Sequence, residues 1–154
     1  MRGIRGWILR RVLRSALVFE REATGLYASL HDKLDGPSAA GVRHLLEEER
    51  IHQKLLEDIV SGRIRDQALE EILASHRFHA FEEIQPLDQK ERAAYGATLE
   101  QALRDEEATV SFYDNLERIG KIPAVKRAFK VLADMEREHA AILRQLLGLA
   151  AAKP

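Results

Sequence analysis

The sequence predicts a single all-α domain, an up-down-down-up four-helix bundle with one long crossover between its second and third helices. Glycine and proline are scarce, at 9 and 4 of 154 residues, and most lie where turns would be useful. Between them lie four long segments whose apolar residues recur at spacings of three and four, which indicates helices with one buried face. The chain length fits one domain with a sizeable core.

The first two segments predict a helical hairpin. One helix is expected at about residues 5 to 34, with Phe19 among the apolar residues of its buried face. A second is expected at about 38 to 61, after the helix-breaking pair Gly36 and Pro37. Because the connection is short, these helices should be antiparallel neighbours.

The last two segments predict a second hairpin. Asp88 and Glu91 form a D-x-x-E capping box, which opens a helix at about residues 88 to 119. Pro123 suits the first position of a helix that should run to about residue 149. This connection is also short, so the second pair should be antiparallel as well.

Residues 62 to 87 form the one long connection, with a short helix expected in DQALEEILASH. Two hairpins joined by a single long crossover give the up-down-down-up order. The whole chain, residues 1 to 154, is therefore interpreted as one domain.

Composition excludes several classes of function. The 24 Lys and Arg residues balance 25 Asp and Glu residues, which gives no electrostatic case for a nucleic acid or a membrane surface as partner. Without cysteine the chain has no disulfide and no cysteine-ligated iron-sulfur or zinc site. The arginine-rich start lacks a signal-peptide core, and no apolar run approaches the roughly 20 residues of a membrane span. We expect a cytoplasmic protein.

Six polar side chains interrupt the predicted apolar faces near the middle of the four helices. On the second and fourth helices, a glutamate and a histidine stand three residues apart and so share one face. A carboxylate without a partner is too costly to bury in an apolar core, whereas two divalent cations compensate four carboxylates. The predicted metal ligands are Glu20, Glu49, His52, Glu106, Glu136 and His139.

The two halves of the chain repeat this pattern, with an offset of 86 residues between the first and third helices and 87 between the second and fourth. A duplicated helical hairpin explains the repeat. Two tyrosines take part in it and are expected in the core with their hydroxyls reaching inward; a redox role or a role in supporting the ligands stays open. The repeated pairs are Glu20 and Glu106, Tyr27 and Tyr113, Glu49 and Glu136, and His52 and His139.

The type of ligand narrows the choice of metal. A mixed set of carboxylate oxygens and imidazole nitrogens suits iron or manganese better than calcium or magnesium, which favour oxygen alone. The residues therefore predict two ions of iron or manganese, or a mixed pair, and leave the choice between them open.

Four motifs resemble the ferritin-like superfamily, specifically its rubrerythrin-like branch, over residues 10 to 148. They are EREATGLY (20 to 27), EERIH (48 to 52), EEATVSFY (106 to 113) and MEREH (135 to 139). The resemblance implies a ferritin-like bundle in which the six predicted ligands hold a di-iron centre. It also implies reduction of hydrogen peroxide with electrons from an external donor. We expect a homodimer.

Two departures from typical rubrerythrins leave the oxidant open. Such proteins add a C-terminal rubredoxin domain, whereas this chain ends at LLGLAAAKP without cysteine, so a separate donor such as a rubredoxin is expected. They also carry a glutamate one turn after the third-helix ligand, where this chain has Thr109. The remaining six-ligand set is closer to bacterioferritin ferroxidase centres, so a ferroxidase that uses dioxygen is the alternative.

Other functions are less favoured by the residues. Bacterioferritin-type haem binding uses a methionine in the second helix, but the methionines here are Met1 and Met135, so no haem is expected. Only a handful of residues follow the fourth segment in this sequence, so the fifth helix of ferritin storage cages is not expected. A protein that sequesters or hands on iron without turnover stays open, and a metal-free interaction module is disfavoured by the inward-facing carboxylates.

Overall fold

The computed structural model describes residues 4–61, 84–121 and 123–150, and it confirms the all-α prediction. It contains helices α1 (Ile4–His31), α2 (Ala39–Ser61), α3 (Gln89–Ile119) and α4 (Pro123–Leu146), and the described ranges contain no strand. The short helix expected in residues 66 to 76 lies outside the described residues. None of the described helices is both long and apolar enough to cross a membrane.

Contacts between helices fix their directions. Glu20 of α1 meets Tyr113 of α3. Tyr27, seven residues further along α1, meets Glu106, which precedes Tyr113 by seven residues, so α1 and α3 are antiparallel. Each helix also runs antiparallel to its hairpin partner, α1 to α2 and α3 to α4. Helices α2 and α3 therefore run in the same direction, which is the predicted up-down-down-up order.

The start of α3 has the predicted capping box. Asp88 Oδ1 accepts a hydrogen bond from the backbone N–H of Glu91 at 2.8 Å, and Glu91 Oε2 accepts from the backbone N–H of Asp88 at 3.0 Å. The other carboxylate oxygen of Glu91 accepts from the hydroxyl of buried Ser38, just before α2, at 2.7 Å. One carboxylate thus ties together the starts of the two parallel helices.

The C-terminal end of α4 comes at Leu146, three residues before the predicted one. Gly148 has φ 62°, in the left-handed region that glycine adopts without a steric penalty. Its N–H and that of Leu149 donate to the carbonyls of Gln145 and Arg144, which satisfies the exposed helix end. The preceding carbonyl of Leu146 accepts from the N–H of Leu87, so the chain entering α3 is fixed beside the end of α4.

The apolar core consists of two clusters with a polar layer between them. One cluster contains Tyr27, Val42, Leu45, Leu99, Ile142 and Leu146 with their neighbours. The other contains Leu13, Ala16, Leu56, Tyr113, Phe129 and Leu132 with theirs. Along every helix, the predicted metal ligands fall between the residues of the first cluster and those of the second.

The prediction that Phe19 belongs to the buried face of α1 is wrong. Phe19 is 42 % exposed, whereas Leu13 and Leu17 are buried. Successive helical residues are rotated by roughly 100°, so a face that buries Leu13, Leu17 and Glu20 turns Phe19 toward the side of α3. There its ring packs edge-on against Phe112, with 5.6 Å between the ring centroids.

Candidate metal centre

All six predicted ligands lie in one buried cluster at the middle of the bundle. Each helix contributes at least one of them, and none is more than 4 % exposed. On α2 and α4, the i, i+3 spacing places the glutamate and the histidine on one face of the helix. The other residues of that face lie in the apolar core. The cluster consists of Glu20, Glu49, His52, Glu106, Glu136 and His139.

Two carboxylates lie between the two histidines. The Nδ1 atom of His52 is 3.1 Å from Oε1 of Glu136 and 3.9 Å from Oε2 of Glu49. The Nδ1 atom of His139 is 3.0 Å from Oε1 of Glu49 and 3.2 Å from Oε2 of Glu136. Each of these glutamates presents one oxygen to each histidine, which is the position of a bridging carboxylate.

The other two carboxylates each lie beside one histidine. Oε2 of Glu20 is 3.5 Å from Nδ1 of His52. Oε1 of Glu106 is 3.9 Å from Nδ1 of His139. The cluster is therefore two half-sites, one with His52 and Glu20 and the other with His139 and Glu106, which share the carboxylates of Glu49 and Glu136.

The polar atoms of the cluster are close together but mostly not hydrogen bonded. Ligand atoms of Glu49, His52, Glu136 and His139 lie within 4.8 Å of one another, and the two imidazole rings stack with centroids 5.0 Å apart. Nine buried atoms make no hydrogen bond to any residue that the structure describes. These atoms are Oε2 of Glu20, both carboxylate oxygens of Glu49 and Glu136, and both ring nitrogens of His52 and His139.

Unpartnered buried polar atoms are rare and require a compensating group. Oxygen and nitrogen atoms about 3 Å apart that are not aligned for a hydrogen bond are typical of ligands that share a cation. Carboxylates with imidazoles form the donor set of transition-metal sites, and two cations would match the two half-sites. The residues therefore fit a pair of divalent transition-metal ions.

Protons compensate part of the charge in the metal-free protein. Burial raises the pKa of Glu20 to about 8, and the nearby Glu136 carboxylate adds to the effect. Burial acts to lower the pKa of His52, but the carboxylates of Glu136 and Glu20 raise it to about 10. The pKa values of Glu106 and His139 are also raised, the first mainly by burial and the second by Glu136 and Glu49 against the effect of burial.

Glu136 is the anionic centre of this metal-free arrangement. Burial acts to raise its pKa, but His139 and His52 lie against its two oxygens and hold that pKa well below the usual range. Metal binding must therefore displace protons from the members of the cluster whose pKa values are raised, which are Glu20, His52, Glu106 and His139.

Two tyrosines form crossed hydrogen bonds with the two outer carboxylates. Tyr27 of α1 donates to Oε1 of Glu106 on α3, and Tyr113 of α3 donates to Oε1 of Glu20 on α1. Burial, followed by the neighbouring glutamate, raises the pKa of each tyrosine well above its usual value, so both hydroxyls remain donors. In each half-site, the outer glutamate is therefore held by a tyrosine of the facing helix, Glu106 on α3 by Tyr27 on α1 and Glu20 on α1 by Tyr113 on α3.

Thr109 does not replace the glutamate that typical rubrerythrins have at this position. Its hydroxyl donates to the backbone carbonyl of Asp105 at 2.9 Å. Each half-site therefore has the same kind of ligand set: one carboxylate and one imidazole of its own, with two shared carboxylates.

Comparison with known proteins agrees with this site. The family model described as Rubrerythrin matches residues 97–151, a region that contains Glu106, Glu136 and His139. Searches of the curated proteins and of the solved structures gave no match. The match contains the motifs EEATVSFY and MEREH and supports the resemblance over the second hairpin. The internal repeat places the same residue types at the corresponding positions of the first hairpin, which the family match does not include.

The first prediction concerns the tyrosines. Tyr27→Phe or Tyr113→Phe removes the donor to a buried carboxylate, so each should lower the free energy of unfolding of the metal-free protein by roughly 1–3 kcal/mol. Urea denaturation followed by circular dichroism measures this. Tyr95→Phe is the control, because Tyr95 is half-buried and has no assigned hydrogen bond among the described residues. Equal, small effects of all three substitutions would contradict the assigned bonds.

The second prediction concerns the pH dependence of the metal-free protein. Glu20 and His52 have raised pKa values in the folded state, so the folded protein holds their protons more tightly than the unfolded chain. The stability that they contribute is lost as pH rises, through about 8 for Glu20 and through about 10 for His52. The lowered pKa of Glu136 has the opposite effect on the stability of the folded protein, but only at acid pH.

The urea midpoint of chelator-treated protein should therefore fall between about pH 6 and about pH 9. Glu20→Gln removes one of the titrating groups and should reduce the decline below about pH 8. Metal-loaded protein should not show this fall, because the ions bind the deprotonated ligands. A midpoint of the metal-free protein that is constant or increasing over this range would contradict the assignment.

Proposed function

We propose that the protein is a di-iron carboxylate redox protein that reduces hydrogen peroxide with electrons from an external donor. The observation that supports this proposal most directly is the pair of half-sites that share Glu49 and Glu136. The Rubrerythrin family match over α3 and α4 supports the same class of centre.

Charge balance favours two divalent ions. The cluster has four carboxylates and two imidazoles, and two divalent cations carry the four positive charges that neutralise it. His52 and Glu20 would hold one ion, His139 and Glu106 the other, and Glu49 with Glu136 would bind both. Iron fits this mixed oxygen and nitrogen set, and manganese or a mixed pair is the alternative.

Bound as a diferrous pair, the ions would supply the two electrons that, with two protons, convert one hydrogen peroxide to two water molecules. The protein's own contribution is geometry and surroundings. Tyr27 and Tyr113 hold the outer carboxylates in place, and an apolar cluster packs on each side of the polar layer. A separate electron-transfer protein such as a rubredoxin would restore the ferrous state, and a homodimer is the proposed assembly.

A ferroxidase that uses dioxygen is the second candidate. The specific observation in its favour is Thr109, whose hydroxyl bonds to the helix backbone and leaves the two half-sites with equivalent ligand sets. Because position 109 offers no additional carboxylate, the ions have no extra ligand to exchange between their ferrous and ferric states. A protein that sequesters iron without turnover would use the same six ligands.

The third prediction concerns metal content. The protein should bind about two transition-metal ions per chain. Glu49→Ala should lose at least one because it removes a shared carboxylate, and His52→Ala should lose at least the ion of its own half-site. Inductively coupled plasma mass spectrometry of purified, folded variants measures the content.

Glu47→Ala provides the control, because Glu47 is exposed on the same helix and should not affect metal content. The site assignment fails if a variant with alanine at Glu20, Glu49, Glu106 and Glu136 together retains its full metal content.

The fourth prediction distinguishes the oxidants. Rapid mixing of anaerobic diferrous protein with equimolar peroxide or dioxygen should show faster oxidation by peroxide. Thr109→Glu places a carboxylate one turn beyond Glu106 and should retain two ions while increasing the preference for peroxide. Thr109→Gln has a similar size without the charge and should not increase it. Oxidation of the wild type by dioxygen at least as fast as by peroxide would replace the peroxidase proposal with the ferroxidase alternative.

A further inference from the structure

A groove of about 620 Å³ lies between α1 and α3 and reaches the candidate metal centre. Its buried floor includes Tyr27, Ala102 and Glu106. Oε1 of Glu106 lies 3.9 Å from Nδ1 of His139, so the floor belongs to one of the two half-sites. Of the six candidate ligands, Glu106 alone lines this groove.

Exposure increases steadily from the floor of the groove to its mouth. Ala23, Leu26 and Thr109 form half-buried walls, with a methyl, an isobutyl and a small hydroxyl-bearing side chain. At the mouth, Ala108 and Phe19 are exposed. Helices α1 and α3 are the most sparsely packed neighbouring pair among the described helices, and the groove between them is lined both by these exposed residues and by buried Glu106.

The mouth of the groove is acidic. Glu22 on α1 and Asp105 on α3 line it from opposite sides, and both are exposed. No lysine, arginine or histidine is among the described residues that line the groove. Carboxylates at the entrance of a cleft with apolar walls focus a negative potential and raise the local concentration of cations. A neutral molecule such as peroxide or dioxygen gains nothing from these charges.

The atoms beyond the floor require a cation. Behind Glu106, the shared carboxylates of Glu49 and Glu136 and the ring nitrogens of both histidines make no hydrogen bond to the described residues. The acidic mouth and these unpartnered atoms are independent observations, since the acidic residues line the exposed end of the groove and the unpartnered atoms belong to residues that lie behind its floor. Both favour a positively charged solute.

We propose that this groove is the path by which divalent metal ions reach and leave the centre, with Glu22 and Asp105 attracting the ion and Glu106 receiving it. This inference depends on the proposed metal binding and adds to it the route. On this proposal, Glu22 and Asp105 determine how fast metal ions are loaded, and the six candidate ligands determine how tightly and how many ions are bound.

The test measures the rate of loading separately from binding at equilibrium. Metal-free protein is mixed rapidly with Co²⁺ at low ionic strength, and the absorbance of the bound ion is followed. In the double variant Glu22→Gln, Asp105→Asn, loading should slow by roughly three- to tenfold. Extraction of Co²⁺ by excess chelator should slow as well. The stoichiometry of two and the dissociation constant, measured against a competing chelator, should remain those of the wild type.

The matched control is the double variant Glu47→Gln, Glu100→Gln. It has the same net charge as the groove variant, and both residues are exposed outside the groove. This control should load at the wild-type rate. Added salt should reduce the difference between the wild type and the groove variant, because it screens the exposed carboxylates.

A second pair of variants tests the path itself. Ala108→Phe places a bulky ring at the exposed mouth and should slow loading at every salt concentration, whereas Ala94→Phe, at an exposed position of α3 outside the groove, should not.

Equal loading rates in the groove variants and their controls would overturn the proposed route while leaving the metal centre intact. A loss of stoichiometry or affinity in the Glu22 and Asp105 variant would also overturn it, because these residues would then be ligands. If the wild type binds no metal at equilibrium, the proposed function itself fails, and the route fails with it.

Discussion

The structure depends on how charge is compensated around four carboxylates buried in one layer of a helical bundle. Isolated buried carboxylates are too costly to keep, so their partners determine the surroundings. Glu49 and Glu136 lie between two imidazoles, while Glu20 and Glu106 each bind a tyrosine. In the metal-free protein, protons held by groups of raised pKa supply part of the positive charge, and in the proposed metal-bound protein two cations supply it. The apolar core is divided into two clusters because this layer needs the middle of every helix.

The crossed tyrosine bonds and the groove are two consequences of the same arrangement. The backbones of α1 and α3 lie close together at fewer positions than those of either hairpin pair. Hydrogen bonds from Tyr27 to Glu106 and from Tyr113 to Glu20 join the two helices across the polar layer, and Phe19 packs against Phe112. A hydrogen bond to a carboxylate joins two helices over a smaller contact area than apolar packing does. The two helices can therefore fix the outer carboxylates and still leave a space between them that reaches Glu106.

The sequence predicted the parts of this structure that depend on local pattern. Helical periodicity, the capping box of Asp88 and Glu91, and the polar breaks in the apolar faces each involve residues within a few turns. The sequence could not assign bridging and outer carboxylates, because the repeat relates Glu20 to Glu106 and Glu49 to Glu136 without giving distances between helices. The tyrosine acceptors were missed for the same reason, although the equal spacing of Tyr27 and Tyr113 from their glutamates was a usable signal. Phe19 was misplaced because loose packing of α1 on α3 is a tertiary property.

The candidate ligand set is nearly symmetric, but the groove between α1 and α3 reaches one half of it. The internal repeat gives each half-site one carboxylate, one imidazole and one tyrosine, and the two halves share the same bridging glutamates. The groove, however, is lined by Glu106 and not by Glu20. On the proposed route, an ion would meet the half-site of His139 and Glu106 first, and the half-site of His52 and Glu20 lies beyond it. Because Glu49 and Glu136 each have an oxygen facing either histidine, a carboxylate that binds the first ion already faces the second half-site. The shared carboxylates would thus allow an ion to pass from the half-site of His139 and Glu106 to that of His52 and Glu20, without a second opening.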